Sequence, residues 1–331
     1  MTIERRITLV VFAYKQSGMI DAAIDSALAQ VCEPIEIILS DDASPDDTYA
    51  RMLAKAAAYQ GPHQVVVRRN EKNLGINEHF NVVVQAAHGD LIVMMAGDDI
   101  SLPDRVAHIA QAWDNSGQKL DLIASHLYDM NAEGEVLGVV HVDDLSQWHT
   151  VGDWVRHRPY IIGAAHAFTR RLFDHFGALQ PHVAYEDQVN VLRALCAGGA
   201  CTIDIPLVRY RRGGVSDRMR DFSGKHFLAS VQRLNRIHVA LHKQWLHDAQ
   251  IAGCLDLVQR STEKEYQREL FIQSLLESPN WYTRCQNTLR PSLVPLGWRV
   301  RKLIYLSWPG IAARIRYMQS ASKQMRNGDR R

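Results

Sequence analysis

This 331-residue chain has few cysteines, no long uncharged run and no glycine-rich phosphate loop, and each shortage excludes a class of protein. Its five cysteines (Cys32, Cys196, Cys201, Cys254 and Cys285) contain no C-x-x-C pair. An odd, scattered set argues against a disulfide scaffold and fits a reducing cytosol. Met1-Thr2-Ile3-Glu4-Arg5-Arg6 runs straight into a strand-like segment, so no signal peptide is expected. The longest uncharged stretch near the C-terminus, Leu303 to Ala313, is about half of the roughly 20 residues that a spanning helix needs, so no transmembrane segment is expected. No G-x-G-x-x-G follows the first apolar run, which argues against a nicotinamide dehydrogenase, and no G-x-x-x-x-G-K-[ST] occurs. Internal repeats and low-complexity linkers are also missing.

What is present is an ordinary globular composition, 47% apolar and 22% charged, enough for one large core or a core with an appendage. The net charge of +2 hides a segregation. From Arg284 onward, eleven Lys/Arg face a single acid, Asp329, so this tail carries +10 and residues 1–283 carry −8.

The first 125 residues alternate short apolar runs with helical patterns, the signature of a mostly parallel sheet covered by helices. Ile7–Phe12, Ile35–Leu39, Gln64–Arg68 and Leu91–Met95 read as strands. Ile20, Ile24, Ala27, Leu28 and Val31 recur at helical spacing, as do Phe80, Val83, Val84 and Ala87, and then Val106, Ile109, Ala110 and Trp113. Residues 126–215 are mixed, and from about Gly224 the pattern is helical, with Phe227, Val231, Leu234, His238, Leu241 and Trp245 in step. The expected division is a domain over 1–222, with halves of about 1–125 and 126–222, followed by a helical region over 223–331.

Two acidic pairs, Asp41-Asp42 and Asp98-Asp99, follow the second and fourth strands, where open α/β sheets bind ligands. Adjacent carboxylates such as Asp98-Asp99 suit Mg²⁺ or Mn²⁺, hard ions that bridge to phosphates. Equally, one of the pair could cap a helix or open a turn. In Asp41-Asp42-Ala43-Ser44-Pro45-Asp46-Asp47-Thr48, Asp42 could accept from a nucleobase N–H while Tyr14 stacks on the base; otherwise Asp46 or Asp47 caps a helix starting near Thr48. Gly75 would let its loop approach a ligand closely, or simply turn the chain.

In combination these stretches resemble the family 2 glycosyltransferases, inverting enzymes with the GT-A nucleotide-diphospho-sugar transferase fold. The likeness runs over Leu9–Tyr14, Ala23–Gln30, Glu36–Ser44, Asn73-Leu74-Gly75, Ala96-Gly97-Asp98-Asp99 and Leu102-Pro103-Asp104-Arg105. It implies an α/β GT-A domain with a mostly parallel sheet, here extended by C-terminal helices. It also implies a nucleotide site at Ala13, Tyr14, Asp42, Asn73 and Asp98, with Asp98 at the ribose and Asp99 and Asp98 at the metal. Family members often carry an aspartate where this chain has Ala96, so Asp99 becomes the favoured direct ligand of Mg²⁺ or Mn²⁺.

Farther on, Ile162–Phe168 and Tyr185-Glu186-Asp187 resemble the family's acceptor loop and E-D motif. The implied general base is Asp187, with Gly163, Ala164 and Glu186 beside the acceptor. A carboxylate in the first turn of the helix carrying Val191, Leu192 and Leu195 is also favourable with no catalytic role. Val208–Ser216 resembles the basic stretch that closes the domain, without the histidine many relatives have there. Arg211 or Arg212 would then offset diphosphate charge, or else lie at the surface.

The resemblance implies inverting transfer from a UDP- or dTDP-linked donor to a glycan or lipid-linked glycan, as in polysaccharide or lipopolysaccharide biosynthesis. The tail adds Trp281, Trp298 and Trp308 to its basic charge, and Ile311, Ile315, Met318 and Met325 recur on one helical stripe. This pattern predicts an interfacial helix on an anionic membrane surface, hence a cytoplasmic protein peripheral to the inner face of the membrane; the alternative is packing on the acidic half. A nucleotidyltransferase would need a glycine-rich basic loop in place of Ala13–Gly18, and a non-catalytic scaffold would have no use for Asp42, Asp98, Asp99 and Asp187 together. A nucleic-acid partner would explain the tail but not the acidic half.

Overall fold

The computed structural model describes residues 6–212 and 226–308. The stripe expected over Ile311–Met325 and the stretch Gly213–Ser216 lie outside the described residues.

The first apolar run forms β1 (Ile7–Ala13), buried along nearly its whole length, as a central strand covered on both faces must be. It pairs in parallel with β2 (Glu36–Asp41) on one side and β4 (Leu91–Ala96) on the other, and β3 (Gln64–Arg69) extends the sheet beyond β2. Between them run α1 (Ile20–Leu28), α2 (Thr48–Ala58) and α3 (Ile76–Ala86). Alternate strand residues Leu9, Val11, Ile37, Leu39, Val93 and Met95 share a core with Ile20, Ala23, Ile24 and Ala27 of α1. Full burial of each large aliphatic side chain contributes about 1.5–3 kcal/mol.

After β4 come the two-residue β5 (Ile100–Ser101), α4 (Arg105–Asn115), β6 (Leu122–Met130), β7 (Val136–Val140), α5 (Val151–Arg156), β8 (His166–Thr169), α6 (Arg170–Phe176), α7 (Glu186–Cys196) and β9 (Ala200–Arg211). One sheet results, in the order β3-β2-β1-β4-β8-β6-β9-β5, with β7 on β6. β8 is antiparallel to both its neighbours, β6 and β9 are parallel, and β5 returns antiparallel to β9. The mostly parallel, helix-covered sheet expected from the sequence is present, and the irregular stretch after residue 125 is where antiparallel strands enter it.

The remaining helices are α8 (Phe227–Ile251), α9 (Leu255–Glu277), α10 (Trp281–Leu289) and α11 (Leu296–Ser307). The chain forms two compact units, Met1–Gly214 with Gln244–Val258, and Val215–Lys243 with Gln259–Arg331. In the first, the segment after Gln244 braces α7. Asp248 makes a fully buried bidentate pair with Arg193, at 2.7 and 3.1 Å, and Gln244 Nε2 donates to Asp248 at 2.8 Å. Trp245 Nε1–H donates to Gln188 O, and the Arg158 guanidinium stands over the rings of Trp154 and Trp245. In the second unit, Phe271, Leu275 and Leu306 form a small core with Val231 and Trp298.

Candidate active site

Because β1, β2 and β4 are parallel and in register, Ala13 lies opposite Asp41 and Phe12 opposite Ala96. Tyr14, Asp42 and the Asp98–Asp99 turn therefore leave the sheet along one carboxyl-end edge. The loop after β1 is laced to the loop after β2 by three backbone donors: Lys15 N–H to Ser44 Oγ (3.0 Å), Gln16 N–H to Thr48 Oγ1 (3.0 Å) and Ser17 N–H to Asp46 Oδ2 (3.3 Å). Asp46 also accepts from Thr48 N–H at the start of α2, so this residue does the capping work. Tyr14 is half-buried, with the Lys15 ammonium 5.1 Å from its ring centroid.

Asp42 does a different job. Buried at the end of β2, its Oδ1 accepts from Asn70 Nδ2 (2.7 Å) and Leu74 N–H (2.8 Å), and its Oδ2 from Gly75 N–H (2.9 Å). Gly75 has φ 78°, a left-handed conformation that costs glycine little and turns its N–H onto the carboxylate. Asn73 Nδ2 reaches the Asp42 carbonyl at 3.3 Å. Behind this loop Arg68 donates to Asn70 Oδ1 (2.7 Å) and to Ser40 Oγ (2.6 Å), and the Ser40 hydroxyl is hydrogen-bonded to His79 Nε2 at 2.6 Å. Burial pushes the His79 pKa down to about 4; the Asp42 charge opposes this and the Arg68 charge reinforces it, so the ring is neutral near pH 7.

Exposure ranks the metal candidates in the opposite order to the sequence expectation: Asp98 is half-buried and Asp99 is 1% exposed. Asp99 Oδ1 accepts from Arg211 N–H at 2.8 Å, while Oδ2 is buried with no hydrogen-bond partner among the described residues. Burial, with the Asp98 charge added, raises the Asp99 pKa well above the usual carboxylate range; the Arg211 N–H and the charges of Arg105 and Arg211 oppose it. The Arg211 guanidinium is engaged by the carbonyls of Asp98 (3.0 Å), Asn131 (3.2 Å) and Ala132 (2.6 Å), which makes it a clamp on the Asp98–Asp99 turn. Arg212 pairs with Asp129, its Nε 2.7 Å from Oδ1. Both arginines thus stand near the turn with their guanidiniums held by protein groups.

A residue that sequence reasoning placed only within a motif joins the two halves of the site. Arg105 is fully buried, and its Nη2 donates to Met94 O in β4 (2.7 Å) and to Ala164 O (3.1 Å). Burial lowers its pKa to about 10 against the opposing charge of Asp99, so it remains a cation. Its signal in the sequence is a charge on the apolar face of α4, four residues before Ile109 and eight before Trp113.

Gly163 and Ala164 lie in a short 3₁₀ turn that leads into β8. A Cβ on Gly163 would collide with Glu186 Oε1, so glycine is what lets that carboxyl approach. The Gly163 carbonyl accepts from His166 Nδ1–H at 2.6 Å, which leaves His166 Nε2 to accept from Asn190 Nδ2 at 3.4 Å. Burial pushes the His166 pKa down to about 4, against the Gly163 bond and with help from the Arg105 charge. Glu186 and Asp187 occupy the first turn of α7, where Asp187 Oδ1 accepts from Gln188 N–H at 2.7 Å. An exposed carboxylate at a helix N-terminus has its pKa lowered. Here burial wins: it raises Glu186 to about 8, with the Asp187 charge second, and Asp187 to about 6 against the amides of Gln188 and Gly163.

Two pairs of carboxylates therefore flank a wall made by Arg105, Ala164 and Gly163. Among the described residues no group of three or more His, Cys, Asp and Glu is gathered, so a cation at Asp98 and Asp99 would need ligands from a bound diphosphate or water. The unpaired Asp99 oxygen beside half-buried Asp98 fits such a hard ion.

Residues 8–147 match the family described as Glycosyl transferase family 2, which supports reading this segment as a glycosyltransferase domain of that family. The chain is 32% identical over 114 residues to the succinoglycan biosynthesis protein ExoO of Rhizobium meliloti, covering 34% of this chain and 31% of that one. The chain thus spans about a third of the length of the curated relatives it matches. In solved structures, its fold resembles S. aureus TarS 1-349 in complex with UDP-GlcNAc (TM-score 0.56, 16% identity, 95% and 92% of the two chains covered). It also resembles the mannosyltransferase PcManGT of Pyrobaculum calidifontis in complex with GDP-Man and Mn²⁺ (TM-score 0.52, 15% identity, 93% and 88% covered). Among the described residues, no helix is long and apolar enough to cross a membrane.

Proposed function

We propose that this protein transfers a sugar from a nucleotide-diphosphate donor to a hydroxyl of a glycan or lipid-linked glycan with inversion, with Asp187 as general base. The observation that carries the reading is the link between the carboxylate pairs: one buried guanidinium, Arg105, binds β4 beside Asp99 and the loop that makes room for Glu186.

Tyr14, Ala13, Asp42 and Asn73 would line the nucleotide site, with Asp42 holding the 73–75 loop in place and offering its remaining lone pairs to a base. Asp98 and Asp99 would hold Mg²⁺ or Mn²⁺, which supplies charge neutralisation at the leaving diphosphate. Inversion needs a carboxylate on the face opposite the leaving group, to take the acceptor proton as the bond forms. Glu186, raised to about 8, holds its proton at neutral pH, and Asp187, raised to about 6, is the ionised member. A base poised near the working pH balances ionisation against proton affinity.

The donors bound by the two structural relatives, UDP-GlcNAc and GDP-Man, set the probes, with UDP- and dTDP-sugars first. Catalysis would reside in residues 1–222, aided by the bracing segment after Gln244, at the inner face of the cytoplasmic membrane. A nucleotidyltransferase is disfavoured because the Lys15, Gln16 and Ser17 amides that would cradle a triphosphate already donate to Ser44, Thr48 and Asp46. The test is a panel of nucleotide sugars with Mn²⁺ or Mg²⁺, read as thermal stabilisation and donor hydrolysis. One donor should stabilise the fold by mass action and be hydrolysed only with the metal. Hydrolysis undiminished by a chelator would remove the metal, and no response to any donor would remove the enzyme.

A further inference from the structure

Exposed large apolar side chains are unevenly spread. Nineteen are exposed among the described residues, and eight of them fall between Trp281 and Trp308. On α11 they form a stripe at four-residue intervals: Leu296 (49% exposed), Val300 (37%), Ile304 (51%) and then Trp308 (50%). Leu293, just before the helix, is 72% exposed and Trp281, opening α10, is 60% exposed. The opposite side of α11 is the packed one, where Leu306, Leu303 and Trp298 join Phe271 and Leu275. Folded soluble proteins seldom leave so much apolar surface together without a partner.

The charge around this surface has one sign. Residues 278–308 contain Arg284, Arg290, Arg299, Arg301 and Lys302 and no acidic residue at all. Arg290 and Arg301 are exposed, whereas Arg299 is buried and donates to Arg290 O at 2.5 Å, joining the end of α10 to α11. The hairpin is thereby a fixed element of the second unit, not a loose tail.

We propose that the α10–α11 hairpin is a docking surface for an anionic lipid bilayer, with the Leu296–Val300–Ile304–Trp308 stripe entering the headgroup region and Arg290 and Arg301 against lipid phosphates. An apolar stripe, basic flanks and aromatic ends are what an interfacial helix requires. Charge complementarity selects a bilayer over an apolar protein groove, since each basic residue near an anionic surface adds attraction. The inference deepens the membrane-side placement proposed above and moves it from the chain's end to a folded element.

The test is co-sedimentation of the full chain with vesicles of phosphatidylcholine containing a third phosphatidylglycerol, at low salt. Val300→Ser/Ile304→Ser/Trp308→Ser should reduce the bound fraction at least tenfold, and Arg290→Gln/Arg301→Gln severalfold, with melting temperature unchanged. All these side chains are exposed, so the variants should fold. A chain ending at Trp308 should keep binding anionic vesicles above the level on pure phosphatidylcholine. The proposal is overturned if the intact chain does not bind, if the triple-serine variant binds as well, or if removing residues 309–331 abolishes binding. It is also overturned if sedimentation shows a wild-type dimer that the triple-serine variant disperses. Donor hydrolysis in solution separates this from the enzymatic reading: its loss with vesicle binding intact would leave the docking surface standing.

Discussion

Asp42, after β2, and the Glu186–Asp187 pair, opening α7, are carboxylates built in opposite ways. Asp42 receives three donors from the Asn70–Gly75 loop, two of them backbone amides. A carboxylate so surrounded is a fixed acceptor that shapes a pocket. Glu186 and Asp187 have fewer donors to set against their loss of water, and both are raised. Carboxyls short of donors exchange protons near neutral pH. The residue type is the same, and the surrounding donors assign the task.

The contrast is sharpest at Asp187. Asp187→Asn should cut turnover by about 10² to 10⁴ while donor affinity, measured by calorimetry, stays within a few-fold. A collapse of donor affinity with turnover at saturation unchanged would move Asp187 to the nucleotide side and erase the contrast. Next in size is the brace behind α7. Asp248→Ala would strand buried Arg193 and should cost about 3–5 kcal/mol in denaturant unfolding. For the same reason a chain cut at residue 222 should fold poorly, since it lacks Gln244, Trp245 and Asp248.

On the nucleotide side, Asp42→Ala should lower stability by about 1–3 kcal/mol because it strands the Leu74 and Gly75 amides, and nucleotide stabilisation of the melting point should fall with it. A variant as stable as wild type would show that the loop is held by something else.

The smallest effects are in pH. If Asp187 is the base proposed above, transfer should rise with pH through an apparent pKa close to 6, as that carboxyl ionises. Raised carboxyls favour the folded state in their protonated form, so the contribution of Glu186 is full below its unfolded pKa near 4.5 and is lost as pH rises through about 8. Glu186→Gln should therefore flatten the decline in melting temperature between pH 6 and 8. His79 and His166, both held near 4, work in the other direction, and their contribution is lost as pH falls from about 6.5 toward 4. An unchanged pH–melting curve in Glu186→Gln would show that burial does not perturb the pair.

The sequence by itself was enough for the parallel half of the sheet. Runs such as Ile7–Phe12 and Leu91–Met95 are buried on both faces, and nothing but a covered central strand accommodates them. The same stretch carries the acidic strand ends, because the position of Asp42 and Asp98 follows directly from where those strands stop. β6 was not legible: Leu122–Met130 includes Ser125, His126 and Asp129, and its partners β8 and β9 lie far along the chain. Strand pairing of that kind depends on partners that local pattern cannot name. Tertiary structure alone decided that Arg211 clamps the Asp98–Asp99 turn, that Arg105 ties β4 to the turn at Ala164, and that Glu186 and Asp187 are raised instead of lowered at the start of α7. Each is a balance between burial and the donors that distant segments bring, and a linear sequence states the charges without stating how much water they lose.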